Sequence, residues 1–158
     1  MLKKRIIPIV LYSDSTAVIS KNFSPWRTIG TLDQVCKMFL SRECDELVIH
    51  RVDNENKESF LPDSVKKNFR RSRVPVAYGG NLISIEKIHE TFKSGADKVT
   101  FNAPYLNGYN NIIVNASKVY GRQSITLCLV ARKENNEYML YNYQSKRDVG
   151  TLSDTLKR

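Results

Sequence analysis

Cysteine is scarce in this chain. The three that exist, Cys36, Cys44 and Cys128, are odd in number and far apart, and no CxxC or Cys/His cluster accompanies them. Neither a disulfide framework nor a zinc site is indicated, and no metal or cofactor is expected. Cys36 and Cys128 sit among apolar residues and read as small core side chains. A reducing cytoplasm is the compartment this cysteine usage suits. Long apolar runs are missing too: nothing approaches the roughly 18 residues of a membrane span. Met1 to Arg5 followed by Ile6 to Leu11 loosely imitates a secretory signal. Its apolar stretch is only about six residues, short of the roughly 7–15 required, and no small-residue cleavage site follows. It reads as a first β-strand.

Acidic residues are in deficit, 16 against 25 basic ones, for a formal net charge of +9. Part of the excess lies in Lys66-Lys67-Asn68-Phe69-Arg70-Arg71-Ser72-Arg73. Such a cluster can hold a phosphate backbone, but no nucleic-acid motif accompanies it. It reads as a solvated helix face, with no nucleic-acid partner expected.

What is present is ordinary for a globular chain: 158 residues, 41% hydrophobic and 26% charged, which predicts one domain. Short apolar runs alternate with helical stretches. Arg5 to Leu11 is the first strand. Thr31 and Gln34 then have capping-box spacing, with Leu32, Val35, Cys36, Phe39 and Leu40 behind them at helical spacing. Glu46 to His50 is a second strand, and Ser64 to Arg73 a helix facing inward through Val65 and Phe69. Val74 to Tyr78 is a third strand, closed by Gly79-Gly80. Ile85, Ile88 and Phe92 mark a helix ending at Gly95, and Lys98 to Phe101 a fourth strand. Ile112, Ile113, Ala116, Val119 and Tyr120 line a further helix, ended by Gly121. Ser124 to Ala131 is a fifth strand, Glu137 to Tyr143 an extended segment, and Thr151 to Asp154 the start of a helix. Strands alternating with helices mean βαβ units and a parallel sheet, either flavodoxin-like or part of a barrel.

Several stretches narrow that choice. Leu2, Lys4-Arg5-Ile6-Ile7-Pro8, Asn22-Phe23, Arg27, Gly30, Asp45 to Val48, Val74 to Gly80, and Glu137-Tyr138-Met139 with Tyr143, Lys146 and Gly150 form one register. Its most specific part is Gly95-Ala96-Asp97-Lys98-Val99 with Asn102. This register resembles the cyclase subunit of imidazole glycerol phosphate synthase, a (β/α)8-barrel lyase of histidine biosynthesis. It runs the length of the chain but covers only about three-fifths of a barrel of roughly 250 residues. The resemblance therefore implies an incomplete TIM barrel of about five βα units, residues 1–158 being one partial domain.

A cyclase of that family takes ammonia from a glutaminase subunit, conducts it through the barrel, and closes the ring of a precursor bearing two phosphates. Two aspartates serve as general acid and base. In this register they are Leu11 and Val130, which cannot move a proton. A further family aspartate is Arg51. The phosphate turn reads Gly79-Gly80-Asn81, Asn102 keeps its identity, Ala103 replaces a hydroxyl residue and Ile19 a lysine. The resemblance thus implies an inactive cyclase with a degenerate phosphate site, and the second phosphate falls to strands outside the register. Arg5, Glu46 and Lys98 match three members of the charged ring that gates ammonia entry. Asp97 matches a residue at the glutaminase interface. Those charges could instead satisfy one another near strand starts, as Arg5–Glu46 and Lys98–Asp97 pairs. His50, Asp14 and Asp53 are the nearby groups that could stand in for the lost catalysts. His89 has no visible role.

Three readings compete. One is a cyclase-subunit homologue of histidine biosynthesis, inactive as a cyclase. Another is an ammonia-conducting or scaffolding partner of an amidotransferase in surface-polysaccharide sugar synthesis, which the apolar Leu11 and the Ala77-Tyr78-Gly79-Gly80 turn suit. The third is a non-catalytic remnant of a disrupted gene. A five-strand sheet would leave its first and fifth strands as open edges, and would expose Ile7, Ile9, Val76 and Val99. Self-association through those edges, dependence on a partner or loose packing is expected, unless Glu137–Tyr143 folds over one of them.

Overall fold

A computed structural model of the chain describes residues 4–21, 26–53, 61–142 and 145–156. Leu2, Asn22, Phe23 and Tyr143 lie outside them. The parallel βα alternation is present and the sheet is open. β1 (Ile9–Ser13), β4 (Leu47–Arg51), β5 (Val76–Gly79), β6 (Lys98–Phe101) and β7 (Ile125–Leu127) run parallel as neighbours. α1 (Leu32–Ser41), α2 (Asp63–Arg71), α3 (Ile85–Lys93) and α5 (Asn110–Tyr120) form the crossovers, and a single turn, α4 (Ala103–Leu106), precedes α5. The expected capping box closes α1: Thr31 Oγ1 accepts from the Gln34 amide, and the Gln34 side chain accepts from the Thr31 amide.

The stretch after β1 is a hairpin rather than a loop. β2 (Thr16–Ser20) and β3 (Trp26–Thr31) extend the sheet antiparallel beyond β1, in the order β3-β2-β1-β4-β5-β6-β7. Asp14 and Ser15 make the two-residue turn with φ of 46° and 65°, the geometry of a primed turn that matches strand twist. β1 is therefore paired on both sides, and the expectation that it forms an open edge is corrected. β7 does form an edge among the described residues. The first strand also begins later than the sequence suggested, at Ile9, and runs to Ser13.

β8 (Ala131–Glu134), β9 (Glu137–Asn142) and β10 (Arg147–Thr151) build a separate antiparallel meander, followed by α6 (Leu152–Leu156). Asn135 and Asn136 turn between β8 and β9 with φ of 44° and 69°. The Glu137 segment pairs with β8 and β10, so it does not cover an edge of the main sheet.

One face of the sheet packs on the helices. Val10, Tyr12, Leu47, Ile49, Val76, Tyr78, Val99 and Phe101 fill the core there with Leu32, Val65, Phe69 and Ile88. Val76 and Val99 thus face the helices and are buried, contrary to the expectation of exposure. Strands of parallel sheets are apolar on both faces, so alternation in the sequence carries little sidedness. Ile7 and Ile9 are on the open face, Ile9 being 53% exposed. Val119, expected on the inner face of α5, is 65% exposed instead.

Candidate functional site

The open face of the sheet carries two separate polar groups, one at each end of the strands. At the amino-terminal end Glu46, just before β4, has a side chain only 6% exposed. Lys98 Nζ, at the start of β6, donates to both carboxylate oxygens at 2.9 and 2.8 Å, and Arg5 Nη1 approaches at 3.4 Å. A buried carboxylate requires such partners. Register explains the convergence. Ile9 pairs Val48, Val48 pairs Ala77 and Ala77 pairs Lys98, so one row crosses the open face and Glu46 lies two residues below it.

Asp97 does not pair with Lys98, as one expectation had it. Its carboxylate accepts from the Val76 amide at 2.8 Å, while its own amide donates to the Val76 carbonyl at 2.8 Å. Asp45 repeats the arrangement on Ile6, at 2.7 and 3.0 Å.

The next open-face row toward the carboxyl ends is Leu11, His50, Gly79, Thr100 and Thr126. Leu11 is half-buried. Val130 follows β7, also half-buried, and its carbonyl accepts from the Tyr141 amide at 2.9 Å. Neither side chain is titratable. A Cβ on Gly79 would collide with Thr100 Oγ1 and His50 Nδ1, so this glycine lets the two side chains meet, 3.5 Å apart. Burial pushes the His50 imidazole down to about 4, which leaves it neutral at physiological pH.

Above this row opens a cavity of about 290 Å³. Gly80 and Asn81 form one wall, with φ of 124° and 52°. Gly80 packs directly on Arg51, leaving no room for a Cβ. Arg51 is buried and donates through Nε to Asp53, which also accepts from the Asp14 amide at 3.4 Å. The site formed by Arg51 is therefore an ion pair, not a bare positive charge. Asn102 is 8% exposed. Its Nδ2 donates to the Cys128 carbonyl, and its Oδ1 is buried without a hydrogen-bond partner. An unsatisfied buried acceptor of this kind costs about 1–3 kcal/mol.

The remaining sequence candidates scatter. Ile19 is exposed on β2, Ala103 opens α4, and His89 on α3 contacts the Tyr120 hydroxyl at 2.8 Å. On the helix side the Tyr12 and Tyr78 hydroxyls bond at 2.9 Å, and burial pushes Tyr78 up to about 12. Sequence reasoning missed the meeting of His50 and Thr100. Alternate positions facing one way along β4 and β6 were the only available signal. Among the described residues no cluster of three or more His, Cys, Asp or Glu side chains could hold a metal ion, and no helix is long and apolar enough to cross a membrane.

Comparison with known proteins agrees with this architecture. A protein of Vibrio vulnificus (strain YJ016) named "Putative imidazole glycerol phosphate synthase subunit hisF2" is 34% identical over 149 residues, 93% of this chain and 54% of that protein. A protein of Campylobacter jejuni with the same name is 30% identical over 142 residues, 90% of this chain and 57% of its own length. Imidazole glycerol phosphate synthase subunit HisF of Chlorobium chlorochromatii (strain CaD3) is 30% identical over 149 residues, 93% of this chain and 59% of that subunit. The chain thus spans a little over half the length of these relatives. The family model described as "Histidine biosynthesis protein" matches residues 5–158. With its parallel βα units and nearly its whole length inside that match, the chain belongs to the histidine biosynthesis protein family, whose fold is a TIM barrel.

Proposed function

We infer that this chain is a cyclase-subunit homologue of imidazole glycerol phosphate synthase that has lost ring-closing chemistry and kept the end of the sheet that faces a glutaminase. The observation that carries the reading is the contrast between Glu46, clasped by Lys98 and Arg5, and the untitratable Leu11 and Val130. General acid–base catalysis needs a titratable group within reach of the substrate. On this reading residues 1–158 act as one partial-barrel unit in the cytoplasm, needing no cofactor or metal. Gly79, Gly80, Asn81 and Asn102 are a degenerate remainder of a phosphate site, and Asp97 adds to the docking surface.

The test is titration calorimetry of the chain against a glutaminase subunit from its own source. Binding at micromolar concentration, weakened by Arg5→Ala, supports docking. Arg5 is the suitable probe because its side chain is 59% exposed, so its loss leaves the fold intact. Absence of binding means that the charges serve the sheet alone. A second reading, an ammonia-conducting or scaffolding partner of an amidotransferase in surface-polysaccharide sugar synthesis, is favoured by the apolar Leu11. Binding to that class of amidotransferase instead of a histidine-pathway glutaminase would select it.

A further inference from the structure

We propose that the groove between α1 and α2, on the helix-covered side of the sheet, docks an acidic amphipathic helix of a partner protein. The proposal is independent of glutaminase docking and of the cavity at the carboxyl ends of the strands.

The groove follows from helical spacing. Asp33, Gln34, Lys37, Leu40 and Ser41 line it from α1, at the spacing of one helix face. Asn68 and Arg71 line it from α2, and Arg73 and Val74 from the turn that follows. Its volume is about 660 Å³. Between Asp33 and Ser41 the helix rises about 12 Å, enough for about two turns of a second helix laid alongside.

Charge selects the occupant. Lys37, Arg71 and Arg73 are exposed along the groove, against one carboxylate, Asp33. That carboxylate is already engaged. Lys67 Nζ reaches it at 2.7 Å, Asn68 Nδ2 at 2.8 Å and Arg71 Nη1 at 3.8 Å. These contacts, Lys67 first, hold Asp33 below the usual carboxylate range, so it stays ionised and its charge is used within the fold. Lys37 and Arg73 meet no carboxylate among the described residues. The groove therefore keeps positive charge that the fold itself does not compensate.

Polarity selects a protein segment. Leu40 and Val74 are half-buried in the lining, and the stems of Lys37, Arg71 and Arg73 add aliphatic surface. A partner helix with an apolar stripe flanked by acids matches an apolar lining flanked by cations, as in helix-in-groove recognition. Among the described residues no aromatic side chain lines the groove, so single-stranded nucleic acid would find nothing to stack on. A second copy of this chain is a poor occupant, because a net charge of +9 sets the two molecules against each other.

The experiment is fluorescence anisotropy of the whole chain with a labelled amphipathic peptide of about 15 residues, leucines along one stripe and glutamates on both flanks. Salt is held at about 150 mM, so that diffuse attraction is screened. A scrambled peptide of the same composition and a single-stranded DNA oligonucleotide are separate arms. The expected result is saturable binding of the patterned peptide in the micromolar range, with the scramble at least about tenfold weaker. Lys37→Glu and Arg73→Glu, both at exposed positions, should each weaken binding about tenfold. Lys118→Glu, exposed on α5, should leave it unchanged. In two-dimensional NMR the amides that shift should belong to α1 and α2. No saturable binding of the patterned peptide overturns the proposal. So does a scramble that binds as tightly, or equal weakening by Lys118→Glu, either of which reduces the groove to a diffuse positive surface. Binding undiminished in both groove variants, or shifts centred elsewhere, overturns it too. An oligonucleotide that binds more tightly and displaces the peptide would make this a nucleic-acid face and overturn it as well.

Discussion

The two ends of the open sheet face hold comparable numbers of polar groups and treat them in opposite ways. At the amino-terminal end every carboxylate oxygen of Glu46 is met by Lys98 or Arg5, and Asp45 and Asp97 are met by backbone amides. At the carboxyl end Asn102 Oδ1 is buried without a hydrogen-bond partner, and burial keeps His50 neutral. A self-satisfied group can be retained for stability alone, so its presence argues weakly for function. An unsatisfied buried group destabilises the fold, so its presence calls for a specific explanation where a satisfied one does not.

The sharpest way to break this comparison is an assay for ring closure. With ammonia supplied directly, turnover of the family's substrate should lie at least about 10⁴-fold below that of a cyclase with both aspartates, since each acid–base group contributes roughly 10²–10⁴. Steady-state rates within about tenfold of such a cyclase would show that Leu11 and Val130 are not at the reacting end.

Removing Lys98 comes next. Lys98→Ala leaves the buried Glu46 carboxylate with only the longer Arg5 contact, and should cost about 3 kcal/mol in urea unfolding. A loss below about 1 kcal/mol would mean that Glu46 is solvated and that the amino-terminal end is not self-satisfied.

The pH dependence probes the other end. His50 titrates near 6.5 when unfolded and about 4 when folded. Between these values the unfolded chain binds the extra proton. Stability is therefore complete above pH 6.5 and falls as pH drops toward 4, with a slope of at most about 1.4 kcal/mol per unit from this group. Thermal melts across that window should be flatter for His50→Gln. Identical profiles would show that His50 is open to water.

The smallest effect is expected at Arg5. Its side chain is half in solvent, so Arg5→Ala should change unfolding free energy by less than about 1 kcal/mol. A larger loss would put Arg5 on equal terms with Lys98 and remove it as a clean probe of docking.

Much of this was legible in the sequence. The βα alternation, the α1 capping box and the positions of Glu46, Lys98 and Asn102 follow from periodicity and family register. The β2–β3 hairpin was not, because its turn is Asp14-Ser15 in place of the Asn-Gly pair that advertises a primed turn. The sidedness of Val76 and Val99 was hidden by strands apolar on both faces. The Asn102 acceptor was invisible for another reason: Nδ2 is spent on Cys128, a partner 26 residues away that only the fold brings near.

The two aspartates ahead of β4 and β6 have a consequence for the phase of the sheet. Asp45 grips both backbone groups of Ile6, and Asp97 both of Val76, each a strand away from its own. A slip of one residue in such a sheet would turn every side chain to the opposite face, sending Tyr12 and Tyr78 into the cavity and His50 into the core. Each clasp can close at only one residue of the neighbouring strand. They act as index marks that fix which face becomes core and which becomes site, so the amides of Ile6 and Val76 should be among the telling positions in hydrogen exchange of an Asp97→Ala variant.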